Sequence, residues 1–124
     1  MKKSDQSVKI SINPEKIPQD LESLLGSVFW KEPGMVGPAA DFLSYVWEWQ
    51  MTESPYAASN WRSYCKKAGL TQSQYSNMLK RLKYAGMVEK KYNKGRGEHE
   101  IRASKKFHET LSSMGRIWER FLEG

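Results

Sequence analysis

Apolar residues along this chain keep a helical spacing over most of its length and change to a strand rhythm in two places. Near the N-terminus Val8, Ile10 and Ile12 alternate with Lys9, Ser11 and Asn13, the period of a half-buried strand, until Asn13-Pro14 stops it. The same residues also suit an unstructured arm. From Leu21 the period lengthens: Leu21, Leu24, Leu25, Val28 and Phe29 predict a short amphipathic helix, broken by Lys31-Glu32-Pro33-Gly34. Gly37-Pro38 marks a second helix entrance, since a first-turn proline lacks a donor that would be unpaired there anyway. Its stripe is Phe42, Leu43, Val46 and Trp47, widened by Tyr45 and Trp49 and ended between Thr52 and Pro55. Helical tryptophans more often fill a core than form a stacking platform, so Trp47 and Trp49 are expected inside.

Three further helices follow. Ser59-Asn60 is placed to cap a helix from Trp61 to Ala68, and Gly69 to end it in the left-handed conformation. Leu70 turns the chain inward. Thr71 and Gln74 then form the Thr-x-x-Gln pattern of a capping box, opening a helix whose inward residues are Tyr75, Met78, Leu79 and Leu82. Gly86 ends this helix and Met87 and Val88 return to the core. Val88 to Tyr92, a loop over residues 93–98, and His99 to Ser104 with Ile101 inward predict a two-stranded ribbon. A last helix is expected from about Ser104 to Leu122. In it Phe107, Leu111, Met114, Trp118 and Phe121 recur at the alternating spacing of a coiled-coil seam, broadened by Ile117 and Leu122.

Composition narrows the class. A chain of 124 residues with 39% hydrophobic and 27% charged residues is expected to fold as a soluble, mainly helical globular protein, with an N-terminal arm and short helix over 1–36 and the main domain over 37–124. No run of about 20 apolar residues suggests a membrane span, and no apolar segment follows the charged N-terminus as in a secretory signal, so a cytoplasmic protein with no membrane partner is expected. Cys65, His99 and His108 have no zinc spacing. Neither a nucleophile motif nor a phosphate loop nor paired catalytic carboxylates are recognisable, so no catalytic residues, metal or cofactor are expected.

The net charge of +6 is concentrated. Residues 61–106 hold thirteen Lys and Arg against three Glu, whereas residues 1–60 hold five Lys against eight acids. Such concentration suits a polyanion, because each neutralised phosphate releases condensed counterions; a generally basic surface is the plainer account.

The order helix, glycine turn, helix, basic hairpin over Ser59 to Ser104 resembles the winged helix-turn-helix superfamily. Cys65 stands where those proteins usually carry a small alanine. Gly69-Leu70-Thr71 is similar to their turn, Tyr75 and Leu82 to the buried positions of their recognition helix, Tyr84-Ala85-Gly86-Met87-Val88 to the exit into the wing, and Lys94-Gly95-Arg96-Gly97 to a wing tip. Within the superfamily the chain is similar to small MarR-like and ArsR-like regulators, which add flanking helices for dimerisation. The resemblance implies a mainly α fold with a two-stranded wing and flanking helices, and a homodimeric, sequence-specific regulator of transcription on double-stranded DNA.

On that reading the helix after Thr71 offers Gln72, Ser73, Gln74, Ser76, Asn77, Lys80 and Arg81 to DNA. Amides bond adenine edges in pairs, and hydroxyls and cations hold phosphates. An ordinary solvated face has similar residues, but no acid occurs from Leu70 to Val88. Lys90, Lys91, Lys94 and Arg96 of the ribbon join the set, with Arg96 between two glycines suited to a narrow minor groove. Charged ribbon edges also serve simply to prevent edge-to-edge pairing, and His99 is expected to be an exposed histidine without function. The closing seam, Phe107, Leu111, Met114, Trp118 and Phe121, is expected to pair two subunits, with packing on the chain's own Phe42–Trp47 helix as the alternative. A protein-interaction module of a replication or partition assembly, with non-specific DNA binding, is the rival function. Nothing in the sequence names a small-molecule effector.

Overall fold

The computed structural model describes residues 10–52 and 55–124. It is mainly helical with a two-stranded antiparallel hairpin: α1 (Leu21–Val28), α2 (Val36–Gln50), α3 (Trp61–Ala68), α4 (Gln72–Ala85), β1 (Val88–Asn93), β2 (Glu98–Ala103) and α5 (Lys106–Leu122). Short 3-10 turns over Pro33–Met35 and Ala58–Asn60 lead into α2 and α3.

Local chemistry sets the boundaries. Asp20 caps α1 by accepting from the Ser23 N–H at 2.8 Å, and hydrogen bonding from the Ser23 side chain and then from this N–H holds its carboxyl below the usual carboxylate range. Thr71 and Gln74 complete the capping box of α4: the Gln74 amide donates to the Thr71 hydroxyl at 3.1 Å and the Thr71 amide to Gln74 Oε1 at 3.0 Å. Gly69 and Gly86 close α3 and α4 with φ of 74° and 82°, values costly for any residue with a Cβ. Two boundary expectations change. No side chain caps α3; its first turn grows out of the 3-10 turn at Ala58–Asn60. The α2 helix begins at Val36, ahead of Gly37-Pro38, which leaves Pro38 within the first turn, where its missing donor is still harmless. Val8 and Lys9 of the predicted N-terminal strand lie outside the described residues; Ile10 to Asn13 form no strand, although the Ser11 N–H donates to the Ser27 carbonyl at 2.9 Å.

One core joins these elements. Leu25, Val28 and Phe29 from α1, Phe42 and Val46 from α2, Tyr64 and Cys65 from α3, Tyr75, Met78 and Leu82 from α4, and Val88 and Ile101 from the hairpin form a single buried cluster. Its centre is aromatic: the Phe42 ring meets Tyr56, Tyr64 and Tyr75 edge-on, with centroids 5.2–5.7 Å apart. The Tyr56 and Tyr75 hydroxyls share a hydrogen bond of 2.9 Å inside it. Burial raises the pKa of both hydroxyls and pushes that of Tyr64 up to about 12. Because each partner satisfies the other, Tyr75→Phe strands the Tyr56 hydroxyl and is expected to cost about 1–3 kcal/mol, whereas the double change with Tyr56→Phe is nearly neutral. Urea midpoints of the four proteins in that cycle check it, and additive losses would refute the coupling.

Trp47 and Trp49 are not core. They are 52% and 41% exposed, because Phe42 and Val46 take the face of α2 that meets the core and leave the two tryptophans on its opposite flanks.

Candidate nucleic-acid interface

Strand β2 is tied down on both edges. β1 and β2 pair from Val88↔Ala103 to Asn93↔Glu98, and β2 also bridges Ala57 through Glu100 while the Ile101 N–H donates to the Tyr56 carbonyl at 3.0 Å. The chain between α2 and α3 thus adds an isolated bridge at Ala57, which carries no periodicity by which the sequence could reveal it. Gln50 at the end of α2 accepts from the Ala103 N–H at 2.7 Å and fixes the hairpin base. Glu100, 3% exposed, accepts from Asn93 Nδ2 at 2.6 Å and lies 3.8 Å from Arg102.

Residues opposite one another in a ladder share a face, so Val88, Lys90 and Tyr92 lie on the Ile101 side of the hairpin, whereas Glu89, Lys91 and Asn93 lie on the Glu100 side. The Ile101 side adjoins α4. Between them runs a cleft lined by Trp61, Gln72, Tyr75, Ser76, Lys83 and Lys90, with Leu79 and Ile101 at its floor. Farther out on the same hairpin face the rings of Tyr92 and His99 pack edge-on at 5.0 Å.

With Tyr75, Met78, Leu82 and Ala85 buried, α4 turns Ser73, Asn77 and Lys80 directly outward and Gln72, Ser76 and Lys83 toward the cleft. The Lys80 ammonium lies 5.7 Å from the centre of the Tyr84 ring. The remaining two candidates on this helix lie on its other flank. Gln74 is held in the capping box, and the Arg81 guanidinium is 3.5 Å from the Glu32 carboxylate at the entrance to α2. On the hairpin, Lys90 belongs to the cleft, Lys91 is exposed on the opposite face, and Lys94 and Arg96 sit at the tip. Arg96 is 3.3 Å from Glu98, so the tip holds an ion pair as well as a cation. The tip closes by the Gly97 N–H donating to the Asn93 carbonyl at 2.8 Å, with Gly97 at φ 67°.

The candidate set therefore divides. Gln72, Ser73, Ser76, Asn77, Lys80 and Lys90 form one continuous surface with two residues the sequence reading left out, Lys83 and Trp61. Lys83 was recoverable: it lies seven residues after Ser76 and on the same helix face. Trp61 was not, because its place beside Tyr75, with ring centroids 6.4 Å apart, depends on how α3 and α4 cross.

A family profile matches residues 18–123, spanning all five helices and the hairpin. The chain belongs to an archaeal protein family. No curated protein and no solved structure matches it. Within the match of this archaeal family protein lies the whole cleft, and so does α5, whose stripe the structure leaves largely uncovered. Phe107 is half-buried against the core, but Leu111, Met114, Trp118 and Phe121 are 43%, 59%, 59% and 68% exposed. Packing of that stripe on the chain's own α2 does not occur beyond Phe107.

Proposed function

We propose that this protein is a winged helix-turn-helix regulator that binds double-stranded DNA sequence-specifically as a homodimer. The observation that carries the reading is the acid-free outer face of α4 running into the Lys83–Lys90 cleft of the hairpin. A helix presenting Gln72, Ser73, Ser76 and Asn77 from its first half, with Lys80 and Lys83 behind them, has base-reading groups at the end that enters a major groove and phosphate-binding groups where the backbone passes. The topology supports it: α2, the bridge residue Ala57, α3, the glycine turn, α4 and the hairpin follow one another in winged-helix order, and β2 pairs with β1 and bridges Ala57. Lys90, Lys94 and Arg96 then act as wing contacts. Lys91, Gln74 and Arg81 have peripheral roles.

The test is selection of bound duplexes from a random pool, followed by measurement of specificity. Asn77→Ala, which removes an exposed amide and no core contact, is expected to lower discrimination at one base pair by about 1–3 kcal/mol and leave the thermal midpoint unchanged. Recovery of no consensus from the pool would refute sequence-specific binding.

A further inference from the structure

Among the described residues none covers the apolar stripe of α5 beyond Phe107, and none fills the apolar groove at its root. The groove is bounded by Leu21 and Leu24 of α1, Leu43 and Trp47 of α2, and Phe107, with a volume of about 400 Å³. Phe107 belongs to both features, so stripe and groove are one continuous surface. From the exposures of Leu21, Trp47, Leu111, Met114, Ile117, Trp118, Phe121 and Leu122, each chain has on the order of 800 Å² of exposed apolar side chain there. That exceeds what isolated soluble chains usually expose in one patch and is about what each partner contributes to a stable interface.

We infer that the occupant is a second copy of this chain, whose α5 lies antiparallel and places its tip in the groove. The inference rests on the homodimer reading above and fixes its geometry. Three observations carry it. Phe107 and Phe121 each lie seven residues from Met114, and Leu111 and Trp118 lie three and four from it, so the seam reads nearly the same in both directions. An antiparallel pair crossing at Met114 therefore sets Phe121 of one protomer beside Phe107 of the other, at the groove; a parallel pair would leave that groove uncovered. Next, Gly115 sits in mid-helix, where glycine costs about 1 kcal/mol relative to alanine, yet a Cβ there would meet no atom of the described residues within 4 Å. At the crossing point of two helices the missing side chain allows close approach, which gives this glycine a reason. Finally, the polar face of α5 mixes Glu109 and Glu119 with Arg116 and Arg120, unlike the cation-rich face of a helix that lies on a lipid surface.

The test uses the full chain. On an antiparallel crossing at Met114, His108 of one protomer neighbours Leu122 of its partner. His108→Cys and Leu122→Cys proteins of distinguishable mass are mixed, re-equilibrated and treated with a short bismaleimide; Cys65 is buried, and burial pushes its thiol pKa up, so it reacts little. The mixed cross-linked species is expected to dominate. Preferential Leu122→Cys self-cross-linking would overturn the antiparallel geometry while leaving the homodimer and DNA readings standing, and a mass near 14.4 kDa by light scattering at micromolar concentration would overturn the dimer itself. In a second variant, Trp47→Glu, the dimer dissociation constant is expected to rise at least about tenfold, because a carboxylate would be buried opposite the partner's tip. An unchanged constant in a folded Trp47→Glu protein would remove the groove from the interface.

Discussion

Trp118→Glu is expected to convert the protein to a folded monomer and to weaken its binding to a two-site DNA duplex by two orders of magnitude or more. The side chain is 59% exposed and stacks on Phe121 at 5.0 Å, so within one chain it supports almost nothing. Between two chains it lies in the middle of the seam. A carboxylate placed there must be desolvated without a partner, and each dimer would bury two of them, which costs several kcal/mol in total. Loss of the dimer then separates the two recognition helices. A single helix reads only a few base pairs, whereas two held one turn of DNA apart, roughly 34–36 Å, add their contacts without a second association cost. Sedimentation and light scattering give the mass, circular dichroism confirms retention of the fold, and a titration against a selected duplex gives the affinity. If Trp118→Glu leaves mass and affinity unchanged, α5 serves neither association nor DNA binding.

The same helix shows where sequence reading is strong and where it stops. Its apolar stripe was legible because helical periodicity records that a face is apolar. What covers the face is a matter of three-dimensional arrangement, and the pattern of Phe107 to Phe121 fits self-packing and pairing equally well. The tryptophans of α2 show the converse. Trp47 and Trp49 belong to a helix whose other aromatics are inside, yet Phe42 and Val46 fill the space facing the core, and the tryptophans are left on its two flanks, each at the rim of an open groove. Signals confined to a few neighbouring residues did better. Gly69 and Gly86 read correctly because only glycine tolerates those dihedrals cheaply, and the Thr71–Gln74 box because both halves lie within one turn.

The candidate interface was legible to the same degree. Identifying Tyr75, Met78 and Leu82 as inward leaves Ser73, Asn77 and Lys80 outward by geometry alone. Which flank of α4 faces the hairpin could not be read, so Arg81 and Lys83 were indistinguishable in kind. Glu32 lies nearly fifty residues before Arg81 in the chain, and no local rule pairs them.

That distinction supplies the most discriminating electrostatic prediction. Lys83 and Lys90 face each other across the cleft, and replacing both with Glu changes the local charge by four. If both ammonium groups neutralise phosphates, the log–log salt dependence of binding should fall in slope by about 2, and the new carboxylates add repulsion from the backbone. An affinity loss of at least about 100-fold at physiological ionic strength is expected, diminishing as salt is raised and screening shortens the range of the repulsion. Arg81→Ala is the control. Its guanidinium lies on the opposite flank beside Glu32, and a partly exposed pair of this kind contributes little to stability, so both affinity and slope should change by less than half as much as in either single lysine variant. Fluorescence titrations of one labelled duplex over a range of salt concentrations decide between the two flanks. Equal losses from Arg81→Ala and Lys83→Ala would place DNA over the whole outer surface of α4, and a loss confined to Arg81→Ala would move it to the α1 side of the molecule.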